Sequence, residues 1–228
     1  MFTNLINRAA DDDRVRFNLI DCPAILAATF FLGTGNASAY HLMGGKTPAT
    51  FVDGLLSGVG HPIIGPDYLA FLLALGIAVG VFRLSFVNPF LFVAAMICGV
   101  AIHVAGLYRP AADPIVPISV LIAGLMLIIE ERIAPAWWMA VFVAAGLFHG
   151  YTYGDSIYGV EAGPLIAYVI GLAAVQVVTT VGVAFATRGL WKLWSMAPRL
   201  AGAAFCGVGF AALVAQLIHA IETLSQPR

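Results

Sequence analysis

Long apolar runs dominate the chain, and polar residues are confined to narrow bands between them. Beyond residue 60 six such runs can be marked, at roughly 62–82, 88–107, 114–130, 133–152, 164–186 and 200–221. Each is close to the ~20 residues an α-helix needs to cross the hydrocarbon of a bilayer. The connections are short and carry the breakers and charges: "RLSFVNP", "YRPAADP", "ERIAP" and "RGLWKLWSMAPR". The pattern predicts an all-α fold, a polytopic integral membrane helix bundle with six transmembrane helices. Short links predict that sequential helices are antiparallel neighbours. Gly76 and Gly80 form a G-x-x-x-G pair in the first run, read here as a close-packing feature.

The stretch before residue 40 reads differently. Arg8, Arg14 and Arg16 precede the apolar run "PAILAATFFLG", which is followed by "TGNASA" and an A-x-A site, Ala37-Ser38-Ala39. That order of basic, apolar and small residues is a secretory signal peptide. Residues 1–39 are therefore expected to be removed, leaving 40–228 as a single six-helix domain. If the segment stays uncleaved it is a first helix, and the chain has seven hydrophobic segments. In both cases Arg14 and Arg16 remain inside and residue 40 emerges outside.

Composition changes the picture only by fixing the environment. Of 228 residues 61% are hydrophobic and 10% charged, and the mean hydropathy is +0.95. A soluble domain carries about a quarter of its residues charged, so most of this surface faces lipid. The net charge of −1 leaves no basic face for nucleic acid. Cys22, Cys98 and Cys206 are far apart in apolar runs and form no C-x-x-C pair, so they are expected to be buried, inert thiols. With residue 40 outside, the inner connections hold Arg83, Arg132, Arg188, Lys192 and Arg199, against Lys46, Arg109 and Arg228 outside. This follows the positive-inside bias, and it puts Trp137, Trp138, Trp191 and Trp194 at the inner interface. The expected location is a bacterial-type inner membrane, multi-pass, with the mature N-terminus outside.

On that map all five histidines fall on the outer side: His41 and His61 before the first span, and His103, His149 and His219 at span ends. Asp67, Asp155 and Glu161 join them. A scatter of interface residues would decorate both faces, so the candidate site is an outward imidazole–carboxylate cluster of His41, His61, Asp67, His103, His149, Asp155 and Glu161. A plainer account exists for several members. Gly65, Pro66 and Asp67 are the residues expected at the start of a helix, His103 suits a hydrogen bond to a neighbouring helix, and His219 beside Glu222 suits the interface. Imidazole with carboxylate and no thiolate suits first-row divalent cations such as nickel, cobalt or zinc. If Tyr40 becomes the mature N-terminus, its amine and His41 add nitrogen donors of the kind Ni(II) or Cu(II) accepts.

Two stretches carry a resemblance. "HPIIGPDYLAF", residues 61–71, resembles the H-x5-D-H signature of the HupE/UreJ proteins, predicted nickel or cobalt permeases. "FHGYTYGD", residues 148–155, is similar to that family's second signature, F-H-G-x-[AV]-x-G-x-E. The neighbouring "HLMGGKTPATFVDGLLSGVGHPIIG" and "GVEAGPLIAYVIGLAAVQ" also look like the family, so the resemblance spans most of residues 40–187. It implies six spans after a signal peptide, with His61, Asp67 and His149 handling the metal and Asp155 as the carboxylate one position before the signature's Glu. Tyr68 replaces the second histidine of the first signature, and Thr152 replaces Ala or Val in the second.

The leading expectation is an integral membrane permease for a divalent metal, nickel or cobalt, with an outward His/Asp site and no permanently bound cofactor. The Ni2+ or Co2+ is cargo. Its partners are then the ion, the lipid bilayer and other membrane subunits. The alternatives are a non-transporting accessory subunit with a degenerate metal site, and a membrane metal-dependent hydrolase using His61, His103 and His149. No nucleophile or base is specifically placed, so an enzyme is not expected. No P-loop is present either, so coupling energy would come from a gradient or a partner.

Overall fold

The residues that open the first expected span form a helix of their own. The computed structural model describes residues 47–107, 113–129, 133–190 and 196–225, and all regular structure among them is helical. α1 (Phe51–Ile64) starts at Thr50. The amide of Asp53 donates to the Thr50 hydroxyl, and the amide of Thr50 donates to the Asp53 carboxylate, each at 3.1 Å. This reciprocal pair is a capping box. α1 ends at Gly65, whose amide donates to the His61 carbonyl at 3.2 Å. Pro66 then opens α2 (Pro66–Val81) at a position where a helix has no use for an amide hydrogen.

The two axes meet at 77°. The expectation of one unbroken span beginning at residue 62 is corrected accordingly. Pro62 and Pro66 withhold amides on either side of Gly65, so a straight hydrogen-bonded helix cannot pass through this point. The reading of Gly65, Pro66 and Asp67 as a helix start holds, but the start lies at a break inside the bundle.

The other helices are α3 (Val87–Val104), α4 (Ile115–Ile129), α5 (Pro135–Asp155), α6 (Ala162–Leu190) and α7 (Ala197–Ser225). They match the remaining expected segments within a few residues. α3, α6 and α7 are each long and apolar enough to cross a membrane, and the bent pair α1–α2 qualifies when taken as one; α4 is apolar but shorter. This is a multi-pass membrane protein. Its exposed surface carries Phe90, Ile97, Ile122, Ile170, Val178 and Phe210, side chains suited to lipid.

Helix pairing departs from the expected order of sequential neighbours. The most extensive contacts join α3 to α5, α1 to α6 and α4 to α7, while α2 lies centrally against α4, α6 and α7. Glycine decides these pairings, because a backbone without a Cβ admits its neighbour most closely. Gly54 and Gly58 of α1 meet Pro164 and Tyr168 of α6, and further along α6 Gly76 and Gly80 of α2 meet Val183 and Thr187. A Cβ at Gly76 would stand 2.7 Å from that of Val183. Contacts of both halves of the broken span therefore advance in the same chain direction along α6. Gly146, Gly150 and Gly154 of α5 face Phe92, Met96 and His103 of α3, a parallel pair, whereas Gly124 of α4 meets Gly202 and Cys206 of an antiparallel α7.

Two smaller expectations change. Trp138 is 1% exposed and packed on Phe82 and Phe142, so its ring faces the bundle, while Trp137 is exposed. Cys98 is exposed on α3, and Cys206 is buried as expected. The signal segment 1–39, His41, Arg109, Arg132, Trp191, Lys192 and Trp194 lie outside the described residues.

Candidate functional site

The break at Gly65 is where the polar side chains gather. His61 belongs to the last turn of α1 and Asp67 to the first turn of α2. They are 7% and 5% exposed, so neither is a rim residue. The Asp67 carboxylate accepts the amide of Tyr68 at 3.0 Å and sits at the positive end of the α2 dipole, where an anion is favoured. His149 is likewise not at a helix end. α5 continues through the glycine-rich stretch to Asp155, which puts His149 nearly two turns inside and leaves it 0% exposed.

Aromatic and hydroxyl groups knit these residues together. His61 Nδ1 lies 2.8 Å from the Tyr168 hydroxyl, which also approaches the Tyr153 carbonyl at 3.4 Å. Tyr68 stacks on Tyr153 with ring centres 4.5 Å apart. The same Tyr68 ring meets His61 at 5.6 Å and His149 at 5.4 Å, nearly perpendicular to both. Both imidazoles therefore pack against the one phenol ring. Its phenol donates to the Thr152 hydroxyl at 2.9 Å, and Thr152 donates onward to the His149 carbonyl at 2.9 Å. Two of the positions at which the chain departs from the signatures it resembles are thus bonded to each other. Thr152 supplies the acceptor that a Tyr at 68 requires and that Ala or Val would lack.

Several polar atoms here have no hydrogen-bond partner although fully buried: the Tyr153 hydroxyl, His149 Nδ1, and both side-chain atoms of Gln176. Gln176 and Tyr153 approach each other without closing a bond of good geometry. Native interiors satisfy nearly all such groups, so a cluster of exceptions calls for a cause. At ~1.5 Å per residue, Tyr168 lies about 9 Å and Gln176 about 21 Å from the start of α6, so the cluster occupies the bundle interior.

The remaining candidates lie elsewhere. His103 Nε2 is 3.6 Å from Asp155 Oδ1, beyond hydrogen-bond length, and the Asp155 side chain is largely exposed. Tyr151 and Tyr158 flank the His103 ring. Of the seven sequence candidates, His61, Asp67 and His149 form one buried group, His103 (7% exposed) and the exposed Asp155 lie together apart from it, Glu161 is exposed ahead of α6 and His41 is outside the described residues. Among the described residues no three His, Cys, Asp or Glu side chains converge closely enough to hold a metal ion. Sequence reasoning missed Ser119, Tyr153, Tyr168 and Gln176; the available signal was Gln176 and Thr180 one turn apart within an apolar span, eight and twelve residues after Tyr168.

The sequence profile described as HupE / UreJ protein matches residues 27–212. A curated relative, Protein HupE of Rhizobium leguminosarum bv. viciae, is 27% identical over 165 residues, covering 71% of this chain and 85% of that protein. No solved structure matches.

Proposed function

Since the chain belongs to the HupE/UreJ family, we propose that it is a permease for a divalent metal ion, nickel or cobalt, whose site lies at the break between α1 and α2. One observation carries this reading. A broken span buries His61 before its break and Asp67 after it in a membrane bundle, and His61 and His149 both pack against Tyr68. Discontinuous helices in transporters serve such a purpose, their free termini and unwound backbone meeting the substrate. Buried ionisable groups within a span are costly and are otherwise hard to account for.

His61 and His149 supply imidazole and Asp67 supplies charge. Tyr68 packs against both imidazoles, so an ion that binds them both displaces its ring from Tyr153 and Thr152. Counting α1–α2 as one crossing, the parallel pairs α3·α5 and α1–α2·α6 and the antiparallel pair α4·α7 fit six alternating crossings. In that topology the His103–Asp155 end faces outward, in a bacterial-type inner membrane.

Purified protein in liposomes tests the reading: bound nickel or cobalt with uptake into the lumen supports it, and a protein that neither binds nor admits either ion defeats it. The absence of three converging metal-binding side chains among the described residues favours a second reading, an accessory membrane subunit that does not transport. Purified protein that holds no nickel or cobalt and shows no uptake would support that reading.

A further inference from the structure

Ser119 of α4 lies outside both signature stretches, and nothing in its sequence context marks it. It is buried, with its hydroxyl oxygen 2.6 Å from the Val116 carbonyl oxygen and 2.8 Å from His149 Nε2. A serine hydroxyl has one proton to give, and a carbonyl can only accept. With the Ser119 proton committed to Val116, the contact with His149 is a hydrogen bond only if Nε2–H is the donor. The ring is then the Nε2–H tautomer.

The consequence falls on the other nitrogen. His149 Nδ1 is fully buried without a hydrogen-bond partner, and in this tautomer it is a bare lone pair. The opposite assignment would give the Ser119 proton to Nε2 and forfeit the 2.6 Å contact with Val116. It would also place an N–H at Nδ1, and an orphaned buried donor is rarer than an under-used acceptor. Tyr68, Phe71 and Phe92 wall the ring on its other sides, with ring centres 5.4, 4.7 and 5.8 Å away. Packing holds its plane, and Ser119 holds its proton.

We propose that Ser119 is a positioning residue that locks His149 as the Nε2–H tautomer, so that Nδ1 presents a permanent lone pair to the divalent cation. The proposal rests on the permease reading for the identity of the ligand, and its geometry stands apart from that reading. An imidazole binds a metal through the nitrogen that lacks a proton, and an oxygen accepting from the other nitrogen decides which one that is. Without Ser119 the ring can exchange tautomers, and part of the population then carries a proton where the ion must bind.

The test uses the full chain in liposomes, metal-free, with histidine rings labelled with 15N and the tautomer read by solid-state NMR. The His149 signal is identified by its loss in His149→Gln. The parent should show Nε2–H. Ser119→Ala should show mixed or inverted tautomers and bind nickel about 10–100-fold more weakly. Ser119→Thr should restore both, since a threonine hydroxyl in a helix can bond a carbonyl three or four residues earlier. Nδ1–H in the parent overturns the proposal, and the parent spectrum decides this even if Ser119→Ala fails to insert. An unchanged tautomer in Ser119→Ala, or a changed tautomer with unchanged nickel affinity, overturns it too. A parent with the expected tautomer that binds no nickel overturns the metal reading instead, a failure separable from that of the lock.

Discussion

Tyr68 stands where the resembled signature has a histidine, so Tyr68→His asks directly whether the site is a closed relative of a metal site. The substitution removes the phenol that donates to Thr152 and the ring stacked on Tyr153. The hydrogen bond is worth about 0.5–1.5 kcal/mol net, and the stacked pair about as much again beyond its buried area. The metal-free variant should therefore lose about 1–3 kcal/mol and unfold at a lower temperature in detergent. In return, an imidazole at 68 would replace the ring that contacts both His61 and His149, next to Asp67, giving a third nitrogen donor. Nickel affinity by equilibrium dialysis should rise at least about tenfold, equivalent to about 1.4 kcal/mol. Thr152→Val supplies the control. Alone it should destabilise the parent, yet in the Tyr68→His background it should cost about 0.5–1.5 kcal/mol less, the coupling of the lost bond. A well-folded Tyr68→His protein that binds nickel no better than the parent would refute the reasoning and favour the accessory-subunit reading.

Other perturbations separate binding from packing. His61→Ala, Asp67→Ala and His149→Ala should each abolish nickel accumulation while inserting normally; accumulation at the parent's level in all three would remove the site from consideration. Gln176→Leu replaces a buried amide without a hydrogen-bond partner, whose burial costs about 1–3 kcal/mol. It should raise the thermal stability of the metal-free protein and reduce uptake, and unchanged uptake would make Gln176 a bystander. Gly150→Ala drives a methyl into the Met96 backbone and should cost about 1–3 kcal/mol by forcing α3 from α5, seen as a lower unfolding temperature with nickel affinity less affected than stability. N-terminal sequencing should find Tyr40 first, and one alanine added ahead of it should weaken nickel binding if Tyr40 and His41 contribute donors.

The helices were legible because lipid imposes one rule along the whole chain. A run of apolar residues ended by Pro, Arg or Asn can hardly be anything else, and α3 to α7 fall where hydropathy puts them. The break at Gly65 was legible in its parts and misplaced as a whole. Pro62, Gly65, Pro66 and Asp67 announce the start of a helix, but hydropathy does not say that "FVDGLLSGVG" before them is also helical. That segment is rich in glycine and carries Asp53, so it reads as a leader. Its glycines are there to let α1 meet the carbonyls of Pro164 and Tyr168 on α6, a partner more than a hundred residues away. The same blindness moved His149 to a rim: Gly150 and Gly154 looked like a chain leaving its helix, when they are the flat side on which α3 packs.

What remained hidden is the part of the site built from hydroxyls. Ionisable residues stand out in an apolar sequence, and His61, Asp67 and His149 were found for that reason. Ser119 and Tyr168 do not stand out, and Thr152 is marked only by its departure from the resembled signature, because a helix can satisfy a hydroxyl with its own carbonyls anywhere along its length. Ser119 and Thr152 make such bonds, to Val116 and to His149. That back-bond gives them their function. A hydroxyl whose proton is committed to its own helix can only accept from outside, so it dictates what its neighbour must be. Thr152 thereby accepts from Tyr68, and Ser119 fixes a proton on His149. Neither relation is written in the local sequence of either partner. Each exists only because α4 and α2 both reach α5 near His149, an arrangement set by glycine contacts elsewhere in the bundle.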